Sequence, residues 1–178
     1  YIFLGLSLGT SSGYLAAAYH MLSHAVTKPL LFVSASALSD ASGGSVRFHY
    51  LQGAGYRDKL AGIGFTVGSF SMVGLPVFSG FITKMLVGTA AIELGGAKLI
   101  FTLAVLVIST VLNAVYFLRT VIRIYMPPNE KFEKTEHPRR ERTAYAVSVA
   151  CFAALNIFLG LLSQPVCDAL ARGIDMFA

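Results

Sequence analysis

Charge is what this sequence has least of. Of 178 residues only 14 are Lys or Arg and 9 are Asp or Glu, a charged fraction of 13% against about 25% in ordinary soluble domains. The deficit is concentrated, since residues 60–83, 99–118 and 143–167 contain no Asp, Glu, Lys or Arg, and residues 1–39 contain only Lys28. A soluble catalytic domain is excluded by that pattern. Cysteine is almost as scarce: Cys151 and Cys167 have neither CxxC spacing nor a histidine cluster beside them, so no disulfide framework, haem or metal centre is indicated. The phosphate-cradling loops GxxxxGK[ST] and GxGxxG are missing, which removes support for nucleotide binding. A basic region ahead of the first apolar run is missing too, which argues against a signal peptide. The net charge of +5 gathers mainly in one hydrophilic segment between apolar runs. It reads as a topology signal, and nucleic acid is not an expected partner.

What is present is membrane helix. Each charge-free run matches or exceeds the ~20 apolar residues that a spanning helix needs. The pattern predicts an all-α, polytopic transmembrane bundle with a discontinuous helix, about five spans plus a partial first helix. Residues 1–9 are that partial helix, because nine residues reach only ~14 Å, and Thr10 to Gly13 break it. A span over 14–38 contains Pro29, which removes the helical donor of the Ala25 carbonyl. Residues 39–59 form an outer loop with the makings of a short hairpin. Residues 60–93 form a broken helix pair around Gly74-Leu75-Pro76 and Ser79-Gly80. Spans over 98–126 and 143–163 flank the charged loop 127–142, with Arg119 and Arg123 reaching for the headgroups. The tail 164–178 sets Val166, Leu170, Ile174 and Phe177 against Asp168, Arg172 and Asp175, the pattern of an interfacial helix. Counting the broken pair as two crossings, the preferred reading, puts the 119–142 region opposite the 39–59 loop. Counting it as one puts both on the same side with a cleaner basic bias. Either way the 127–142 loop is expected in the cytoplasm.

Ionisable groups inside apolar spans cost roughly 2.5–3.5 kcal/mol each at the helix centre on insertion scales, so they are kept for a reason. His20, His24 and Lys28 recur at steps of four and stack along one helix face over about 12 Å. A row of three proton-exchanging groups suits a relay. Lys84 is the sole charge between Lys59 and Glu93 and follows the helix break by one turn. Broken helices expose backbone dipoles to a cavity and build ion sites. The structural alternatives are interhelical hydrogen bonds for the histidines and snorkelling for both lysines. Tyr116 is a secondary pathway candidate or a belt aromatic. A metal held by His20 and His24 is disfavoured, since the residues between them lack the Glu of HExxH. Gly5-xxx-Gly9 and Gly64-xxx-Gly68 are candidates for close helix packing.

The ordered set Tyr19-His20-xxx-His24-xxx-Lys28-Pro29-Leu-Leu-Phe32, Gly74-Leu-Pro-Val-Phe-Ser-Gly-Phe81 with Lys84, Ala114-Val-Tyr-Phe-Leu-Arg119 and Leu159-Gly-Leu-Leu-Ser-Gln-Pro165 resembles the proton-conducting antiporter family. That family comprises the large membrane subunits of respiratory complex I, the Mrp-type sodium/proton antiporters and the membrane-bound hydrogenases. The resemblance covers nearly the whole chain. It implies the last third or so of a fourteen-helix subunit, with Lys28 on a central hydrophilic axis and Lys84 in a discontinuous helix near the proton exit. It also implies that segment 39–59 and the amphipathic tail tie neighbouring subunits together on the outer face. The short tail departs from the largest complex I subunit, whose long lateral helix has no counterpart in these residues. The upstream half of the pathway, with its Glu/Lys pair, has none either.

The expected function is therefore proton, or sodium/proton, translocation by a multi-pass subunit of a prokaryotic cell membrane. His20, His24, Lys28 and Lys84 would form the ion pathway. Expected partners are other membrane subunits, including homologous antiporter-like ones, together with the lipid bilayer. No cofactor is expected in this chain and no catalysis by it; it would be a non-redox subunit of a proton-translocating oxidoreductase complex. The alternative is a structural membrane scaffold without ion transport.

Overall fold

In the computed structural model, residues 1–127 and 139–176 are described. They form eight helices: α1 Ile2–Leu8, α2 Ser11–Asp40, α3 Ala54–Arg57, α4 Lys59–Val73, α5 Ser79–Leu94, α6 Gly96–Ile124, α7 Arg139–Leu161 and α8 Ser163–Asp175. Three stretches are long and apolar enough to cross a membrane: α2, α6 and residues 143–161 of α7. The expected charged loop 127–142 lies largely outside the described residues, as does Phe177.

The first break is narrower than the sequence suggests. Gly9, at φ 69°, ends α1, and Thr10 caps α2 by accepting from the Gly13 N–H at 3.0 Å. One threonine hydroxyl in place of a missing helical acceptor is enough to start the new helix. Gly5 pairs with Gly13 rather than Gly9, because a Cβ on either would press on the other's carbonyl oxygen, at 2.7 and 2.6 Å. Gly64 and Gly68 do serve close packing, against Ser34 and Leu31 of α2.

α2 is the central post, packed against α1, α4, α5, α7 and α8. Its neighbours show how the broken pair is threaded. At the Asp40 end of α2, the Arg57 Nε donates to the Ala41 carbonyl at 2.7 Å. Midway, the Ser23 hydroxyl donates to Ser79 at 2.8 Å. At the Ser11 end, the Ser12 hydroxyl donates to Glu93 at 2.6 Å. α4 and α5 thus run one after the other, antiparallel to α2, and make one discontinuous crossing rather than the two preferred above. Length gives the reason: α4 has 15 residues and α5 has 16. Each reaches only ~23 Å, short of the ~30 Å hydrocarbon core.

That threading corrects two further expectations. The 39–59 loop and the C-terminal end of α6 share the Asp40 end of α2, where Arg123 donates to the Phe48 carbonyl and Gln52 to that of Pro127. α8 lies at the other end, since it follows the C-terminus of α7, where the Leu159 carbonyl accepts from the Tyr19 hydroxyl at 2.6 Å. The loop and the tail therefore cannot both belong to one outer face. Nor does the loop form a hairpin: among the described residues no strand occurs, and 41–53 is a series of turns leading into α3. The Arg57 guanidinium takes up the carbonyls of Ala41, Tyr50 and Gln52, which a strand ladder would need. On α8, Cys167 is buried and Asp168, Arg172 and Asp175 are exposed, as an interfacial helix requires.

Candidate functional site

The break between α4 and α5 builds the site. Gly74, at φ 85°, closes α4, its N–H bonding back to the Phe70 and Ser71 carbonyls. Pro76 cannot donate to a helical carbonyl. Val77 stands at φ 82°, a conformation costly for a β-branched residue and held only where the surroundings impose it. Here they do. Gly160 of α7 lies so close that a Cβ there would collide with the Val77 carbonyl, and a Cβ on Gly80 would collide with that of Ser71.

A knot of small polar side chains fastens the break to its neighbours. Ser23, Thr27, Ser71, Ser79 and Asn156 are all at most 3% exposed. The Asn156 amide donates to Thr27 Oγ1 at 2.7 Å, and its oxygen accepts from the Ser79 N–H at 3.4 Å. Ser71 Oγ lies 3.3 Å from Ser79 Oγ, 3.4 Å from Thr27 Oγ1, and accepts from the Gly80 N–H at 3.2 Å. The first amides of α5 would otherwise be orphaned in an apolar interior, where each unmade bond is expensive.

Lys84 points back across the break. Its ammonium donates to the Val73 carbonyl, one of those α4 leaves unpaired, and to Thr110 Oγ1 at 2.9 Å. A cation at a helix C-terminus meets the negative end of the helix dipole. Thr110 is the midpoint of α6, so the charge is held at mid-helix and does not snorkel to a helix end. Gly74 is required here for space as well as for its φ, because a Cβ would sit 2.8–2.9 Å from Lys84 Cδ, Cε and Nζ.

Beside this knot is a cavity of about 20 Å³ whose walls include His20, His24, Thr27, Ser71, Thr83 and Lys84. It has room for one water molecule. The imidazoles lie 5.4 Å apart, and Tyr1 stands edge-on to His20 at 5.2 Å. Nδ1 of His20, Nδ1 of His24 and the Thr83 hydroxyl are buried without a hydrogen-bond partner among the described residues. Buried polar atoms of this kind are normally satisfied, so three around one hole make a hydrophilic lining.

Three of the four pathway residues named from sequence thus share one cavity. The fourth, Lys28, continues the row on α2 but does not line the cavity; its ammonium sits over the Phe32 ring, 5.8 Å from the centroid. Tyr116 is 63% exposed on α6, edge-on to Phe117 and away from the cavity. The polar knot went unread in the sequence, as did Thr110. Asn156, the only amide side chain between Thr143 and Leu161, was the available clue. Among the described residues no group of three or more His, Cys, Asp or Glu could hold a metal.

A family model described as NADH:quinone oxidoreductase/Mrp antiporter, transmembrane, matches residues 1–113. NADH-quinone oxidoreductase subunit N 2 of Sorangium cellulosum is 28% identical over 177 residues, covering 99% of this chain and 34% of that protein. A putative antiporter subunit, mnhD2, of Staphylococcus haemolyticus is also 28% identical over 177 residues, covering 98% of this chain and 35% of that protein. The chain spans about a third of the length of these curated relatives. In three dimensions it is similar to a chain of the Mrp complex from Dietzia sp., with a TM-score of 0.81 at 21% identity, covering 96% of this chain and 39% of the other.

Proposed function

Because this chain belongs to the NADH:quinone oxidoreductase/Mrp antiporter family of membrane proteins, we propose that the intact subunit moves protons, or exchanges protons with sodium, along a polar axis through His20, His24, Lys28 and Lys84. The observation that carries the proposal is the small cavity at the helix break, whose walls His20, His24 and Lys84 share.

Each group has a part that its surroundings suit. Water in the cavity would hydrogen-bond the free Nδ1 atoms of His20 and His24 and reach the Lys84 ammonium, which keeps one N–H beyond those given to Val73 and Thr110. A proton could pass between imidazoles 5.4 Å apart through one such molecule. Lys28, one helical turn beyond His24, extends the row toward the Asp40 end. Helices broken at membrane depth are tolerated where they line a polar cavity, and this break does.

Orientation follows from charge. The Asp40 end of the bundle bears Arg47, Arg57, Lys59, Arg119 and Arg123. By the positive-inside rule this end, including both the 39–59 loop and the 127–142 segment, faces the cytoplasm of a prokaryotic cell. α8 then lies at the outer surface. The subunit would act beside homologous antiporter-like subunits in a larger assembly whose partners supply the driving energy.

The test is ion pumping by vesicles that contain the assembled complex. Loss of transport in Lys84→Ala and Lys28→Ala complexes that still assemble supports the pathway. Undiminished transport in both would leave a scaffold as the better description.

A further inference from the structure

We propose that the basic end of α6 holds an anionic phospholipid, its phosphate between Arg119 and Arg123 and one acyl chain in the apolar groove beneath them. The groove encloses about 610 Å³, with Val115, Leu118 and Ile122 as its floor and Phe48 of the 39–59 loop at its rim. Residues 114 to 124 of α6, with Tyr125 and Met126 beyond them, extend over ~18 Å. That is about the depth of a single leaflet, half of the ~30 Å core together with the headgroup layer.

Charge selects the occupant. Arg119 and Arg123 stand one helical turn apart, on the same face. The Arg119 guanidinium lies over the Phe48 ring, 5.4 Å from its centroid. Among the described residues it makes no hydrogen bond and meets no carboxylate. Arg123 donates from Nε to the Phe48 carbonyl at 2.9 Å and from Nη1 toward the Met126 sulfur at 3.7 Å, leaving Nη2 for a further acceptor. Two forked cations with no carboxylate partner among the described residues, at the mouth of an apolar trough, fit a phosphodiester that carries a hydrocarbon tail. A zwitterionic lipid would bring its own cation against them. This inference does not depend on which ion the subunit moves.

The experiment places the intact subunit, with its partner subunits, in nanodiscs containing phosphatidylglycerol that bears a photoactivatable group midway along one acyl chain. Crosslinks are expected at Val115, Leu118 or Ile122. Arg119→Gln should lower them about fivefold, and Arg119→Lys should restore most of the loss. Arg119 is the residue to change because among the described residues it makes no main-chain bond on which the fold would rest. Unlabelled phosphatidylglycerol should compete; phosphatidylcholine and inorganic phosphate should not. Equal labelling by a phosphatidylcholine probe, competition by inorganic phosphate, unchanged labelling in Arg119→Gln, or a neighbouring subunit crosslinked across the groove would each overturn the proposal.

Discussion

The Lys84 ammonium and the Val73 carbonyl, eleven residues apart in the chain, close the break between α4 and α5 by a direct hydrogen bond. The cation assigned to the proposed pathway is therefore also the cap of a half-helix. On that proposal, moving a proton and holding the helix end would be coupled, since only the charged form interacts fully with the dipole.

Replacing Lys84 with Ala is expected to abolish ion pumping and to leave the Val73 carbonyl and Thr110 hydroxyl unpaired, at a cost of about 1–3 kcal/mol. Thermal unfolding of the purified complex should show the second effect, and vesicle transport the first. Lys28→Ala should also stop transport with a smaller change in stability, because among the described residues the Lys28 ammonium makes no hydrogen bond and lies over the Phe32 ring. A Lys84→Ala complex that pumps normally would remove this lysine from the pathway.

His20→Leu and His24→Leu should each slow transport at least tenfold, by putting an aliphatic group where the proposed relay would need an exchangeable proton. Tyr116→Phe should have no effect, since its ring is exposed on α6. The comparison is made on the same vesicle assay with protein levels matched by immunoblot. Equal impairment in all three would mean that the assay reports folding and not a relay.

Asn156→Leu removes a donor from Thr27 and an acceptor from the Ser79 N–H. We expect a loss of about 1–3 kcal/mol in stability and a marked fall in transport, because α5 and Lys84 would no longer be held at the break. Asn156→Ser should recover part of both. Unfolding temperatures indistinguishable from wild type would show that α7 does not fasten the break.

Gly160→Ala tests the contact from the other side. Its new methyl group would collide with the Val77 carbonyl, and overpacking of this kind costs about 1–3 kcal/mol. Protease sensitivity around residues 74–78 should rise. An unaltered digestion pattern would mean that the break absorbs the methyl without moving.

The chain's chemistry was legible where it contradicted its surroundings. Charge-free runs amid scattered polar residues identify spanning helices, and Gly74-Leu75-Pro76 identifies an interruption. His20, His24 and Lys28 stand out because ionisable groups are costly in hydrocarbon. Serine, threonine and asparagine carry no such warning. Ser23, Thr27, Ser71, Ser79 and Asn156 became a polar cluster only when four helices, α2, α4, α5 and α7, brought them together.

Amphipathic patterning, which tells a soluble helix which face to bury, is weak in α2, α4 and α5, whose faces are apolar nearly all round. Sequence alone therefore determined that this is a membrane bundle with ionisable nitrogens at fixed steps along one helix and one lysine past a break. Tertiary packing decided that α4 and α5 share a crossing, that Lys84 reaches Val73 and Thr110, and that Lys28 stands outside the cavity. Those outcomes depend on which helix ends meet, and hydrogen bonds between residues far apart in the chain settle that.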